Sequence, residues 1–170
     1  MLMQERPQRP TISVIIPARN EGGNLPFVLP HIPFIVSEVV LVDGHSIDDT
    51  VAVARQLLPS IRIVKQEGKG KGDAIRAGIA ASTGDIIVML DADGSADPNE
   101  ISSFVEAIMT GNDFAKGSRF AKGGGSHDLT LIVVCRISVR FCRFITFHRI
   151  AFDQPVERIN TIQYETSPDT

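Results

Sequence analysis

The side chains best suited to chemistry are two carboxylates one residue apart, Asp91-Ala92-Asp93, which end the apolar run Ile86-Ile87-Val88-Met89-Leu90. Two hard oxygen donors this close suit a divalent cation, and such a cation suits a diphosphate. The plainer reading is that each Asp caps a helix or solvates a turn, as Asp often does. Two more carboxylates follow apolar runs elsewhere: Glu21 after Thr11-Ile12-Ser13-Val14-Ile15-Ile16, and Asp43 after Glu38-Val39-Val40-Leu41-Val42. If these runs are neighbouring strands, all four acids converge on one crevice at the C-terminal edge of a sheet, where open α/β folds bind ligands. Gly68-Lys69-Gly70-Lys71-Gly72 adds two lysines on a glycine-rich loop. It lacks the Gly-Lys-Ser/Thr ending of a Walker A sequence. Its residues suit an approach to phosphate oxygens and suit a solvated loop equally well. The turn after the first run, Pro17-Ala18-Arg19-Asn20-Glu21, is not Gly-x-Gly-x-x-Gly, which argues against dinucleotide oxidoreduction.

These groups need a frame. The run ending at Leu90 is too short to span a membrane and is flanked by Gly84-Asp85 and Gly94, so it reads as a strand buried on both faces. A first strand covers 11–16 and a second covers 38–42. Between them Pro26, Pro30 and Pro33 keep any helix from Asn24 short or broken. Asp48 is placed to cap a helix with Val51, Ala54, Leu57 and Leu58 inward. Ile61-Arg62-Ile63-Val64 is a third strand, and a helix follows over 73–82. Asp97-Pro98-Asn99-Glu100 resembles a capping box opening a helix to Met109, and a fifth strand covers 113–116 before Gly117-Ser118-Arg119. Alternating strands and helices without an internal repeat predict an α/β fold, a mainly parallel sheet flanked by helices.

Composition bounds the rest. With 170 residues, 43% of them apolar, the chain has the material for one domain with a real core. A net charge of −3 and a pI near 5.8 give no general case for nucleic acid or an anionic membrane. Residues 1–10 lack the apolar segment of a secretory signal, read as a loose N-terminal tail, and make the cytoplasm the expected compartment. Cys135 and Cys142 lack the spacing of a zinc or redox site and are expected to be reduced packing residues.

From Leu129 to Phe152 the chain turns apolar and aromatic yet carries Arg136, Arg140, Arg143, His148 and Arg149. Each central Arg would cost roughly 2.5 kcal/mol or more inside a bilayer, which argues against a membrane span. Arg136, Arg140 and Arg143 fit a basic helical stripe touching a membrane, while Arg136 to Phe141 alternates as a strand does. A strand or helix completing the core is the preferred expectation.

Taken in order, Val14-Ile15-Ile16-Pro17-Ala18-Arg19-Asn20-Glu21, Val42-Asp43-Gly44-His45-Ser46-Ile47-Asp48-Asp49-Thr50, Lys69-Gly70-Lys71-Gly72-Asp73-Ala74-Ile75-Arg76-Ala77-Gly78, Asp91-Ala92-Asp93 and Gly117-Ser118-Arg119 resemble the signatures of family-2 glycosyltransferases of the GT-A fold. Within that family the chain is most similar to the polyprenyl-phosphate, or dolichol-phosphate, mannosyl- and glucosyltransferases. The resemblance spans residues 11–128 and implies a nucleotide-sugar-binding GT-A domain there. It implies that Pro17, Arg19 and Glu21 line a nucleoside pocket, that Asp43 meets base or ribose, and that Lys71 belongs to the nucleotide site. Asp91 and Asp93 would hold ribose and metal, Mg²⁺ or Mn²⁺, and Arg119 would face the diphosphate or donor sugar. The tail from 129 to 170 does not match the family and is expected to be atypical, as in a truncated or non-family C-terminus, with Asp128, Asp153 and Glu157 as candidate bases.

The implied activity is metal-dependent inverting transfer of a hexose from UDP-glucose or GDP-mannose to an acceptor, polyprenyl phosphate, with peripheral contact at the cytoplasmic membrane face and no nucleic-acid partner. The competing reading is a non-catalytic nucleotide-sugar-binding remnant without an acceptor half. A sugar nucleotidyltransferase shares the sheet and metal logic, but the Gly-rich loop expected after its first strand is absent.

Overall fold

The computed structural model describes residues 9–118, 133–136 and 161–165, and the surroundings of side chains over 9–115. Four parallel strands form one side of its sheet: β1 (Ile12–Ala18), β2 (Glu38–Asp43), β3 (Arg62–Lys65) and β4 (Ile86–Met89), in the order β3-β2-β1-β4 with β3 at the edge. Val14, Ile15, Ile16, Val40, Leu41, Ile86 and Val88 are inaccessible to solvent, which is why β1, β2 and β4 read as unbroken apolar runs and not as alternating ones. Beyond β4 the order departs from the chain. β6 (Val133–Arg136) lies antiparallel between β4 and β5 (Phe114–Ser118), and β7 (Thr161–Glu165) runs parallel to β5 at the edge.

Each face of the sheet has its own helices. Ile15, Val40, Val42 and Ile87 point to one side and pack with Ala74 of α3 (Lys71–Ala81). A Cβ added to Gly78 would stand 2.3 Å from Ile15 Cγ2 and 3.1 Å from Val42 Cγ2, so α3 rides close on the strands. That closeness explains a helix built from Ala and Gly. The opposite side holds Val14, Ile16, Leu41 and Val88 with Leu25 and Val28 of α1 (Leu25–Val28), Ala54 of α2 (Thr50–Leu57), and Ile101, Phe104 and Ile108 of α4 (Ile101–Met109).

Several local expectations meet the structure. The proline-rich stretch is one short helix followed by a 3-10 turn, Leu29–His31. Asp97 accepts from the Asn99 N–H at 2.9 Å and opens a 3-10 turn, Pro98–Glu100, ahead of α4. Others need correction. Leu57, the last residue of the helix, is exposed at 37%, although it follows the buried Thr50 and Ala54 by seven and three residues, and Val53, not Val51, packs on the core beside Leu58. Asp49, not Asp48, directly precedes α2, yet the Asp48 carboxylate accepts from the Thr50 N–H at 3.1 Å. Helix α3 begins at Lys71, two residues before the expected start.

Of the segment from Leu129 to Phe152, Val133–Arg136 is a strand inside the sheet; its remainder, with Arg140, Arg143, Cys142 and His148, lies outside the described residues, as do Asp128, Asp153 and Glu157. Most of the 1–10 tail lies outside them too. Among the described residues no helix is long and apolar enough to cross a membrane.

Candidate functional site

Because β1 to β4 are parallel, their C-terminal ends open on one edge, and the loops leaving them wall a cavity of about 710 Å³. Pro17, Arg19 and Glu21 line it from β1, Lys71 from the start of α3, and Asp91 and Asp93 from the end of β4. Asp43 ends β2 at the same edge but is buried, 7% exposed; its neighbours Gly44 and His45 form the wall. Asp43 Oδ1 accepts from the Ser46 N–H at 3.1 Å and so shapes the turn. Arg119 lies outside the described residues.

The loops after β1 and β2 are fastened to each other. Asn20 N–H donates to Ser46 Oγ at 3.0 Å, and Ile47 N–H returns a bond to Asn20 Oδ1 at 2.9 Å. Glu21 N–H donates to Thr50 Oγ1 at 2.9 Å and Gly22 N–H to Asp48 Oδ2 at 3.1 Å. The Thr50 hydroxyl, helped by the Thr50 and Gly22 N–H groups, holds the Asp48 carboxyl below its ordinary value. Asn20 and His45 take left-handed backbone at φ 58° and 63°, the conformation these abrupt turns require. A Cβ on Gly22 would meet the Asp49 carboxylate and stand 3.2 Å from the Thr50 nitrogen, so the two loops approach closely at this glycine.

A third wall is the glycine loop between β3 and α3. Gly68 N–H donates to Asp73 Oδ2 at 2.9 Å, and Gln66 Nε2 donates to the Gly70 carbonyl at 2.8 Å. Arg76 foremost, then the Gly68 N–H, lowers the Asp73 carboxyl from its usual value. These bonds extend α3 back to Lys71. Gln66 is 5% exposed and lines the cavity, and sequence reasoning did not single it out. The signal available was its place directly after the third strand, at the edge already marked by Glu21 and Asp43.

Charge at the site is unevenly answered. Lys71 Nζ pairs with Asp91 at 2.5 Å from Oδ1 and 2.8 Å from Oδ2. Asp93 is exposed, and its Oδ1 accepts from the Ser95 N–H at 2.9 Å and from the Ser95 hydroxyl. Among the described residues Asp93 Oδ2 has no donor. Nor do three or more His, Cys, Asp or Glu side chains gather there to hold a metal. Two carboxylates fit a hard cation that takes its remaining oxygens from phosphate and water, the usual manner of Mg²⁺ at phosphate sites.

Comparison with known proteins matches residues 13–160 to the model of glycosyl transferase family 2. That span runs past residue 128, where the motifs legible in the sequence stop. The chain is 36% identical over 120 residues to a dolichol-phosphate mannosyltransferase of Pyrococcus furiosus, covering 66% of this chain and 34% of the relative. It is 36% identical over 129 residues to a polyprenol monophosphomannose synthase of Mycolicibacterium smegmatis, covering 70% and 48%. The chain thus spans about a third to a half of the length of these curated relatives. Among solved structures it is similar to glucosyl-3-phosphoglycerate synthase from Mycobacterium tuberculosis in complex with Mn²⁺ and UDP-glucose, with a TM-score of 0.57 and 30% identity over 65% of this chain and 44% of that one. The fold is the α/β GT-A fold.

Proposed function

The chain belongs to glycosyl transferase family 2, and from that premise we propose that it binds a nucleotide sugar, UDP-glucose or GDP-mannose, and passes the hexose with inversion to polyprenyl phosphate. The observation that carries this reading is the shared cavity: Arg19 and Glu21 from β1, Lys71 from α3 and the Asp91/Asp93 pair from β4 all face one space. Residues 11–128 hold the donor, and the part from 129 onward supplies strands that close the sheet beyond β4.

Each residue's role follows from its chemistry. Pro17, Arg19 and Glu21 wall the nucleoside, and Asp43 holds the turn against which the base lies. Asp91 would meet ribose or metal, and Asp93 would hold Mg²⁺ or Mn²⁺. That ion, when bound, supplies positive charge to the departing nucleoside diphosphate. Lys71 adds a second cation to the same phosphates, and Arg119, in the role the resemblance implies, would face the diphosphate or donor sugar. In the transfer an oxygen of the lipid phosphate bonds to the anomeric carbon as the bond from that carbon to the diphosphate oxygen breaks. A lipid phosphate is already ionised, so the step needs no general base. The names of the Pyrococcus and Mycolicibacterium relatives support this acceptor class. A lipid acceptor would bring the protein to the cytoplasmic face of a membrane.

Incubation with labelled UDP-glucose or GDP-mannose and polyprenyl phosphate tests the proposal. Labelled lipid with one donor is the expected result. No labelled lipid with either donor, from protein that binds nucleotide, would overturn it.

A further inference from the structure

Lys71 sits on a carboxylate that the donor site needs. Its ammonium engages both oxygens of Asp91, at 2.5 and 2.8 Å. The two partners are unequal: the Asp91 side chain is 16% exposed and fixed by the end of β4, whereas the Lys71 side chain is 57% exposed on the first residue of α3. The carboxylate is held by the fold and the ammonium rides a flexible stem. Asp93, two residues on, has its Oδ1 tied to Ser95. A divalent cation arriving alone therefore meets one open oxygen on Asp93 and the like charge of Lys71 beside Asp91.

A diphosphate entering the cavity changes this balance. It offers the ammonium a second anion within the swing of a lysine side chain, while α3 stays seated on the strands through Gly78. When Lys71 moves across, Asp91 is released at the moment the phosphates bring their own oxygens. We propose that the Lys71–Asp91 ion pair is a latch that couples cation binding to nucleoside diphosphate binding: the latch is closed in the free chain and opened by the nucleotide. This rests on the donor-site reading above and adds an order of events to it. Lys71 acts here as a positioning residue on Asp91. Linkage makes the coupling reciprocal, so the cation strengthens nucleotide binding by the same factor. A half-exposed pair is weak, which sets the scale at roughly fivefold in affinity.

The test is a titration of the full chain with Mn²⁺, free ion being read by electron paramagnetic resonance, without nucleotide and with UDP or GDP. Wild type, Lys71→Met, Lys71→Gln and Lys71→Arg are compared after circular dichroism shows each to be folded. Wild type should bind Mn²⁺ weakly alone and more tightly with nucleotide. Lys71→Met and Lys71→Gln should each bind Mn²⁺ alone about fivefold more tightly than wild type, with a smaller gain from nucleotide. Lys71→Arg keeps the charge and should match wild type. Unchanged or weaker binding of Mn²⁺ alone by both neutral variants overturns the latch and leaves the donor site standing. Wild type that binds no Mn²⁺ even with nucleotide overturns both.

Discussion

β2 and β4 have acids at or near both of their ends, Glu38 and Asp43 on one and Asp85 and the Asp91/Asp93 pair on the other, and the two edges of the sheet use them differently. At the N-terminal edge Glu38 is fully answered from within: its Oε2 accepts from Ser13 Oγ at 2.6 Å, from the Thr83 N–H at 2.9 Å and from Thr83 Oγ1 at 3.2 Å, and Arg62 lies 3.5 Å from Oε1. Asp85 beside it is closed onto Thr11 by a reciprocal set of bonds. At the C-terminal edge Asp91 is paired with a lysine that is more than half exposed, and among the described residues Asp93 Oδ2 has no donor. Among the described residues one edge is closed by its own hydrogen bonds, and the other leaves an acceptor oxygen without a donor. A carboxylate with its bonds satisfied internally is structural, and one left open on a cavity is the candidate for binding.

Substitutions should separate the edges. The largest effect belongs to Asp93→Asn, which removes the charge and keeps an acceptor for Ser95: transfer should fall by roughly 100-fold, or about 3 kcal/mol, while thermal unfolding of the ligand-free protein is unchanged. A drop in the unfolding temperature equal to that of an N-edge variant would erase the distinction. Gly78→Ala acts on the packing the edges share. It forces a methyl against Ile15, so a loss of about 2 kcal/mol by denaturant unfolding is expected, with weaker nucleotide binding because α3 carries Lys71. Glu38→Ala should cost about 1.5 kcal/mol of stability and leave nucleotide affinity intact in a calorimetric titration.

The smallest effect is on pH dependence. Burial disfavours the charge on Glu38, but bonds from Ser13, Thr83 and Arg62 outweigh it and hold the carboxyl below its ordinary value of 4.5. A lowered value means the native state favours the ionised form, so its contribution is complete above about pH 4.5 and fades as pH falls through the folded value. Melting curves between pH 7 and pH 3 should show Glu38→Gln losing less stability on acidification than wild type. An equal loss in both would take Glu38 out of the acid response.

What the sequence disclosed follows the same division. Asp91 and Asp93 were legible because an apolar run stopped at them, and Glu21 and Asp43 because two other runs stopped likewise. Strand ends announce themselves wherever burial on both faces makes the strand a continuous apolar run. Gln66 escaped because β3 is short and half-exposed, Arg62 and Lys65 both facing solvent, so its end carries no such contrast. Asp43 was read as a cavity group, and its burial behind Gly44 depends on a turn that no spacing reveals. Leu57 shares the face of Thr50 and Ala54 by helical repeat, yet it ends the helix and is exposed, which periodicity alone does not reveal. The insertion of β6 between β4 and β5 is a pairing over more than forty residues, set by which edge remained open after β4 and not by any local pattern.

The central claim is that the open acids of the C-terminal edge hold a cation against a nucleoside diphosphate. Crystals grown with Mn²⁺ and UDP or GDP, with the manganese located by its anomalous scattering, test it directly. The account predicts one manganese peak within bonding distance of the Asp93 carboxylate and beside the phosphates, with Lys71 drawn off Asp91. Nucleotide bound in the cavity with no manganese near Asp93, or manganese bound elsewhere on the molecule, would contradict it.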